Sequence, residues 1–113
     1  MMLLFMILGS QPTMAEITQM GIAEQISSDY QTLGILVGIS LSQVESYRQQ
    51  SFMNTTHTCN LILDKWISKN GHPPMYPLTW KGLYDILCDM NFKKVAEKLK
   101  LELSIKGINL VTQ

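Results

Sequence analysis

The sequence predicts an all-α fold, and three observations support this. Large apolar residues recur three and four positions apart in successive segments, for example at Ile62, Leu63 and Trp66, as on one face of a helix. No stretch shows the apolar–polar alternation of a strand. Polar residues that cap helices, such as Ser40 and Thr79, stand directly before apolar periodic segments.

Six helices are predicted in chain order. They run from Met14 to Ile26, from Ser28 to Gly38, from Leu41 to about Gln49, from Thr56 to Asn70, from Trp80 to Met90, and from Phe92 to about Leu101. Ser28 and Ser40 each precede a glutamine by three positions, the spacing of a capping box, and Thr79 caps the fifth helix. Gly71 is placed to end the fourth helix, and Asn91 separates the last two. Residues 51–56 are ambiguous, with a short helical turn as one interpretation.

The apolar stripes of these helices predict the core. Its predicted members are Tyr30, Leu33, Val37, Val44, Leu63, Trp66, Trp80, Leu83, Leu87, Val95 and Leu99. Leu41 and Tyr47 are expected to face inward beside Val44. Cys59 and Cys88 lie on the same stripes and are expected to be reduced and buried, because free cysteine packs as a small hydrophobe.

Composition predicts a single packed domain whose charge is unevenly placed. The chain has 113 residues, 46% of them hydrophobic and 16% charged, with a formal net charge of zero. Residues 1–56 carry four acidic side chains against Arg48, whereas residues 57–113 carry eight lysines against five acidic side chains. Opposite patches steer and orient partners. The candidate contact residues are the acidic Glu24, Asp29 and Glu45 and the basic Lys93, Lys94, Lys98 and Lys100.

No motif for catalysis, cofactor binding or metal binding stands out. The chain has no glycine-rich phosphate loop, and the spacings of His57, His72, Cys59 and Cys88 fit no usual zinc site. We therefore expect a non-enzymatic protein without cofactor, metal or small-molecule ligand.

The apolar run of residues 1–8 is too short to span a membrane. A loosely docked end, the remnant of an upstream segment and a short signal peptide stay open for it.

A helix-turn-helix DNA-binding unit is the alternative interpretation. In that unit, Gly34 would be the small residue of the first helix, Gly38 the glycine of the turn, and Val44 the buried apolar residue of the second helix. However, the helix that would read DNA has Arg48 as its sole cation, and phosphate neutralisation needs several. We therefore expect no nucleic-acid partner.

The ordered set of core positions resembles the death domain. The set comprises Tyr30, Leu33, Gly34, Val37, Gly38, Ile39, Ser40, Val44, Leu63, Trp66, Thr79, Trp80, Leu83, Leu87, Val95, Ala96 and Leu99. The resemblance covers roughly residues 14–101. It departs at Tyr30, where tryptophan is commoner, and in the proline-rich loop that ends at Leu78.

The resemblance implies a six-helix antiparallel bundle and a function in protein assembly. It assigns residues 14–101 to the domain, residues 1–13 to an apolar segment and linker, and residues 102–113 to a tail. It implies a cytoplasmic signalling adaptor in apoptosis or immune signalling, whose partners are other death-domain proteins or copies of itself. One surface of one copy would meet a different surface of the next, which allows rings or filaments.

Overall fold

The structure of this chain is a computed structural model that describes residues 11–68, 76–108 and 110. These described residues contain seven α-helices and one 3-10 turn. The helices are α1 (Met14–Gln19), α2 (Ile22–Ile26), α3 (Tyr30–Leu36), α4 (Leu41–Gln50), α5 (Thr55–Ile67), α6 (Trp80–Asp89) and α7 (Lys93–Ile105), and the turn is Ser27–Asp29. The turn joins α2 to α3 without a break, so the described residues form six helical segments and no strand. The all-α, six-helix prediction is confirmed.

The break between the first two helical segments lies at Gly21, so the prediction of a new helix capped by Ser28 is wrong. Gly21 has a left-handed backbone with φ of 66°, which glycine adopts without steric cost. Ser28 lies inside the 3-10 turn, and no side-chain cap forms there. The buried Ile22 and Ile26 keep this part of the chain helical against the core.

Four helix starts in the described residues carry side-chain caps, the first of them at Thr13, which caps α1. Ser40 Oγ accepts a backbone N–H of α4 at 3.2 Å, and Thr79 Oγ1 accepts one of α6 at 3.1 Å, as predicted. Asn54 caps α5, which begins at Thr55, one residue before the predicted start. The predicted cap Gly71 lies outside the described residues.

The described residues fall into two units, and α5 is the centre of the one that spans residues 13–68. It packs against α1, α2, α3 and α4. A Cβ atom at Gly34 of α3 would lie 2.4 Å from Val44 Cγ2 and 3.9 Å from Ile62 Cδ1. Gly34 therefore permits the close approach of α3 to α4 and α5.

The second unit is built on α6 and α7, which pack against each other. A Cβ atom at Gly82 would lie 1.9 Å from the backbone oxygen of Pro77. That oxygen also accepts the Thr79 N–H at 2.8 Å, so the chain before α6 folds tightly onto its first turn. No larger residue fits at position 82 without moving this backbone.

Most of the predicted core residues are buried in the structure. Nine of the eleven are buried, namely Leu33, Val37, Val44, Leu63, Trp66, Trp80, Leu83, Leu87 and Leu99. Tyr30 and Val95 are half-buried. Leu41 is 63% exposed, contrary to prediction, because it lies in the first turn of α4, whose buried side is centred on Val44.

The last helix is longer than predicted. It continues past Leu101 to Ile105, and Leu103 is fully buried. The signal was present in the sequence, since Leu103 follows Leu99 by four positions and extends the stripe that begins at Ala96.

We expect Gly34→Ala to destabilise the protein through its contact with Val44. Forcing a methyl group into a packed core typically costs ~1–3 kcal/mol of unfolding free energy. Val44→Ala removes the clashing methyl group, so the loss for the double variant should be smaller than the sum of the single losses. Urea denaturation of the four proteins measures this coupling, and strictly additive losses would contradict the close approach.

Candidate interaction surfaces

The turn between α4 and α5 presents a fully exposed aromatic side chain. We name Ser51–Asn54 the aromatic turn. Phe52 is 92% exposed and Met53 is 55% exposed. Both residues have left-handed backbones, with φ of 54° and 66°. A residue with a side chain loses roughly 1–2 kcal/mol in that conformation, so the turn is strained at two successive positions.

Hydrogen bonds hold the aromatic turn in this conformation. The Met53 N–H donates to the Arg48 carbonyl at 3.0 Å, and the Asn54 N–H donates to the Ser51 carbonyl at 3.0 Å. Ser51 Oγ is 2.7 Å from Thr58 Oγ1 in a buried hydroxyl pair. The backbone at both ends of the turn is therefore fixed, and Phe52 projects from a rigid support.

The Arg48 side chain contacts the aromatic turn and links it to neighbouring residues. Its Nε donates to Met53 Sδ at 3.1 Å, its Nη1 donates to Tyr30 Oη at 3.2 Å, and it pairs with Glu45 at 3.5 Å. The Tyr30 hydrogen bond and then the Glu45 carboxylate raise the pKa of Arg48 above its ordinary value. The cation that a helix-turn-helix would present to DNA is thus engaged within this unit.

The three acidic candidates differ in availability. Glu45 is occupied by its ion pair with Arg48. Asp29 is half-buried and accepts the Thr32 hydroxyl at 2.7 Å. Glu24 is exposed on α2, and within the described ranges its carboxylate has no ion-pair partner. Glu24 is therefore the acidic candidate most free to meet a partner.

The basic candidates lie along α7. We name Lys93, Lys94 and Lys98 the lysine face, and all three are exposed. Lys100 is half-exposed. Across residues 11–68, 76–108 and 110, none of these four lysines forms an ion pair.

Apolar residues extend the same side of α7. Leu101 is 63% exposed and Ile105 is 79% exposed. Lys94, Lys98, Leu101 and Ile105 follow one another at spacings of four, three and four, so they lie on one side of the helix. The sequence-based prediction did not include Ile105 in this surface because it ended the last helix at about Leu101.

The chemistry of the cysteines favours a structural role. Cys59 is fully buried, and burial raises the pKa of its thiol to about 12, with a smaller contribution from Asp29. The nucleophilic thiolate is therefore scarce at neutral pH. Cys88 is half-buried and unpaired. No group of three or more potential metal ligands occurs in the part of the chain that the structure describes.

The chain matches a known protein family. A family model described as Death domain matches residues 20–103, which is most of the chain. No curated protein and no solved structure matches at a significant score. Among the residues with described structure, no helix has the length and apolar character needed to cross a bilayer.

We expect Phe52→Gly to stabilise the folded protein. Glycine adopts the left-handed backbone without the steric cost that Phe52 bears, and little buried surface is lost because the ring is exposed. The greater chain entropy of unfolded glycine opposes this gain, which leaves a net increase of up to ~1 kcal/mol in unfolding free energy. Thermal and urea denaturation measure it, and a clear loss of stability would show that the ring supports the fold.

Proposed function

This chain belongs to the death domain family, and we propose that it acts as a cytoplasmic signalling adaptor through homotypic association with other death domains, including copies of itself. Death domains are non-catalytic interaction modules of signal transduction. Apoptosis and immune signalling are the processes we propose for it. The geometry supports a specific surface for this proposed association.

The observation that carries the proposal is the exposed Phe52 on its braced, strained turn. Backbone strain of this kind persists where the surrounding structure enforces it, and it concentrates at functional sites. A large aromatic ring on a rigid support is also the kind of side chain that dominates protein interfaces, because little conformational entropy is lost on binding. We propose that Phe52, with Met53 beside it, anchors the contact with a partner.

Charge supplies the second part of the proposed contact. Residues 13–68 carry five carboxylates against Arg48 and Lys65, whereas the lysine face belongs to the other unit. Opposite charges on different surfaces of one chain favour a heterologous contact between copies, in which one surface meets the other. We propose Glu24, with Asp29 and Glu45, on one side and the lysine face, with Lys100, on the other.

We propose neither nucleic acid nor a small molecule as a partner. Arg48 of α4 is held by Glu45 and Tyr30, and formal net charge is zero, so little drives phosphate binding.

We expect the purified protein to self-associate in a salt-dependent way through the lysine face. Sedimentation velocity should show a mass that rises with protein concentration and falls with salt, because the Debye length shrinks to ~8 Å near physiological ionic strength. The triple variant with Lys93, Lys94 and Lys98 changed to Glu should fold normally and associate less.

The control for this test is a double variant in which two exposed lysines outside the face, Lys65 and Lys106, are changed to Glu. It should associate nearly as wild type does. A wild type that stays monomeric at high concentration and low salt would contradict self-association, and equal association of the triple variant would remove the lysine face from the contact.

We also expect Phe52→Gly to weaken self-association even though it stabilises the fold. Truncating an interface anchor costs ~2 kcal/mol or more, which corresponds to about thirtyfold in the association constant. Ile35→Ala is the matched control, since Ile35 is 57% exposed and lies on α3, outside the aromatic turn. Unchanged association of Phe52→Gly would mean that the exposed ring is not an anchor.

A further inference from the structure

A small pocket opens between the α1–α2 turn and the side of α5. It has a volume of about 50 Å³, and it is lined by Thr18, Gly21, Ala23, Glu24, Thr56 and Asn60. Gly21 and Ala23 keep it open because they place little or no side chain there. A site needs roughly 10–15 Å³ of such volume for one water-sized group, so the pocket has room for a small polar head group.

One residue of the lining carries an unsatisfied acceptor. Asn60 Oδ1 is buried and has no hydrogen-bond partner within the described part of the chain. Buried polar atoms are nearly always hydrogen-bonded, because leaving one unpaired forfeits the hydration it had in the unfolded chain. Asn60 lies in the middle of α5, so its backbone groups are engaged in the helix and its side chain is the part left to be satisfied.

The other polar residues of the lining are acceptors, so they suit a cation that can donate several hydrogen bonds. Glu24 contributes a carboxylate with no ion-pair partner in the described structure, and Thr18 and Thr56 contribute hydroxyl groups that can accept. An ammonium group carries three donors and one positive charge in a compact head. It would neutralise Glu24, use a threonine hydroxyl as a second acceptor, and satisfy Asn60 Oδ1 once the amide turns toward the pocket.

We infer that this pocket receives a lysine side chain from the lysine face of a second copy of the chain. The pocket lies in the acidic unit, where Arg48 is already engaged, and Lys93, Lys94 and Lys98 are exposed cations without ion-pair partners among the described residues. Pocket and lysine face are different surfaces, so the contact is heterologous and can repeat from copy to copy. This inference rests on the proposed function and names the contact that would orient one copy against the next.

Substitutions at Asn60 separate binding from folding. Asn60→Leu is close to Asn in size and removes the unsatisfied oxygen, so its melting temperature should equal or exceed that of the wild type. Its self-association constant should nevertheless fall about tenfold or more, since hydrogen bonds to charged groups contribute that much. Asn60→Asp adds a second carboxylate and should strengthen self-association at low salt. A pocket that takes an anionic or acceptor group would respond in the opposite direction to Asn60→Asp.

A charge swap tests the identity of the occupant. Glu24→Lys alone and the triple Lys-to-Glu variant alone should each associate poorly in sedimentation velocity, because like charges then meet. An equimolar mixture of the two should associate again, since the lysine at position 24 of one copy meets the glutamates of the other. Asp64→Lys is the matched control: it makes the same charge change at an exposed position of α5 outside the pocket. Asp64→Lys alone should associate as the wild type does, because it leaves both the pocket and the lysine face intact.

The outcomes distinguish this inference from the broader function. If the wild type does not self-associate, both the lysine contact and self-assembly are overturned. If it self-associates but Asn60→Leu, Asn60→Asp and Glu24→Lys leave the association constant unchanged, the pocket holds solvent only. The lysine contact is then wrong, whereas homotypic association through another surface stands.

Discussion

Four of the helices that the structure describes end with the same backbone hydrogen bond, and the direction of the chain after each helix depends on this bond. The bond joins an N–H to the carbonyl five residues earlier: Ile39 to Gly34, Met53 to Arg48, Phe92 to Leu87, and Ile108 to Leu103, at 2.8–3.0 Å. It forms only when the residue before the donor adopts a left-handed backbone. Those residues are Gly38, Phe52, Asn91 and Gly107. Three of the four belong to types that adopt this conformation readily, and Phe52 does not.

The exception at α4 links the fold to the proposed function. A glycine at position 52 would end the helix with less strain, yet it would leave the turn without an aromatic side chain. The surrounding contacts instead hold Phe52 in place: Arg48 donates to Met53 Sδ, and Ser51 pairs with the buried Thr58. The left-handed backbone of Phe52 at the end of α4 thus accounts both for the strain in the turn and for the exposure of the ring. The same helix end directs the chain into Asn54, which caps α5, the helix that carries Asn60.

The sequence predicted the fold well where periodicity and capping agree. The stripe through Ile62, Leu63 and Trp66 identifies α5, and Ser40 and Thr79 cap the helices they were expected to cap. The break at Gly21 was missed because a lone glycine inside an apolar helical pattern is compatible with a continuous helix, and only its positive φ reveals the turn.

The surface was harder to predict, for a physical reason. No propensity rule places phenylalanine in a left-handed turn, so residues 51–56 stayed ambiguous. The charged candidates are exposed or half-exposed, but their local partners depend on distances that sequence spacing does not give. Glu45 and Arg48 are three apart and pair, whereas Glu24 and Asn60 are thirty-six positions apart and line one pocket. The proposed interaction surface could therefore be identified only from the structure.

In the proposed assembly, copies of this chain meet through two different surfaces, one acidic and one basic. Zero-length carbodiimide cross-linking of a mixture of ¹⁴N- and ¹⁵N-labelled protein tests it directly, because the reagent joins only amines and carboxylates that touch. We expect mixed-isotope cross-links between peptides that contain Lys93, Lys94 or Lys98 and the peptide that contains Glu24, and we expect them to decline as salt rises. Cross-links that are confined to single-isotope pairs, or that join the lysine face only to other carboxylates, would contradict the account.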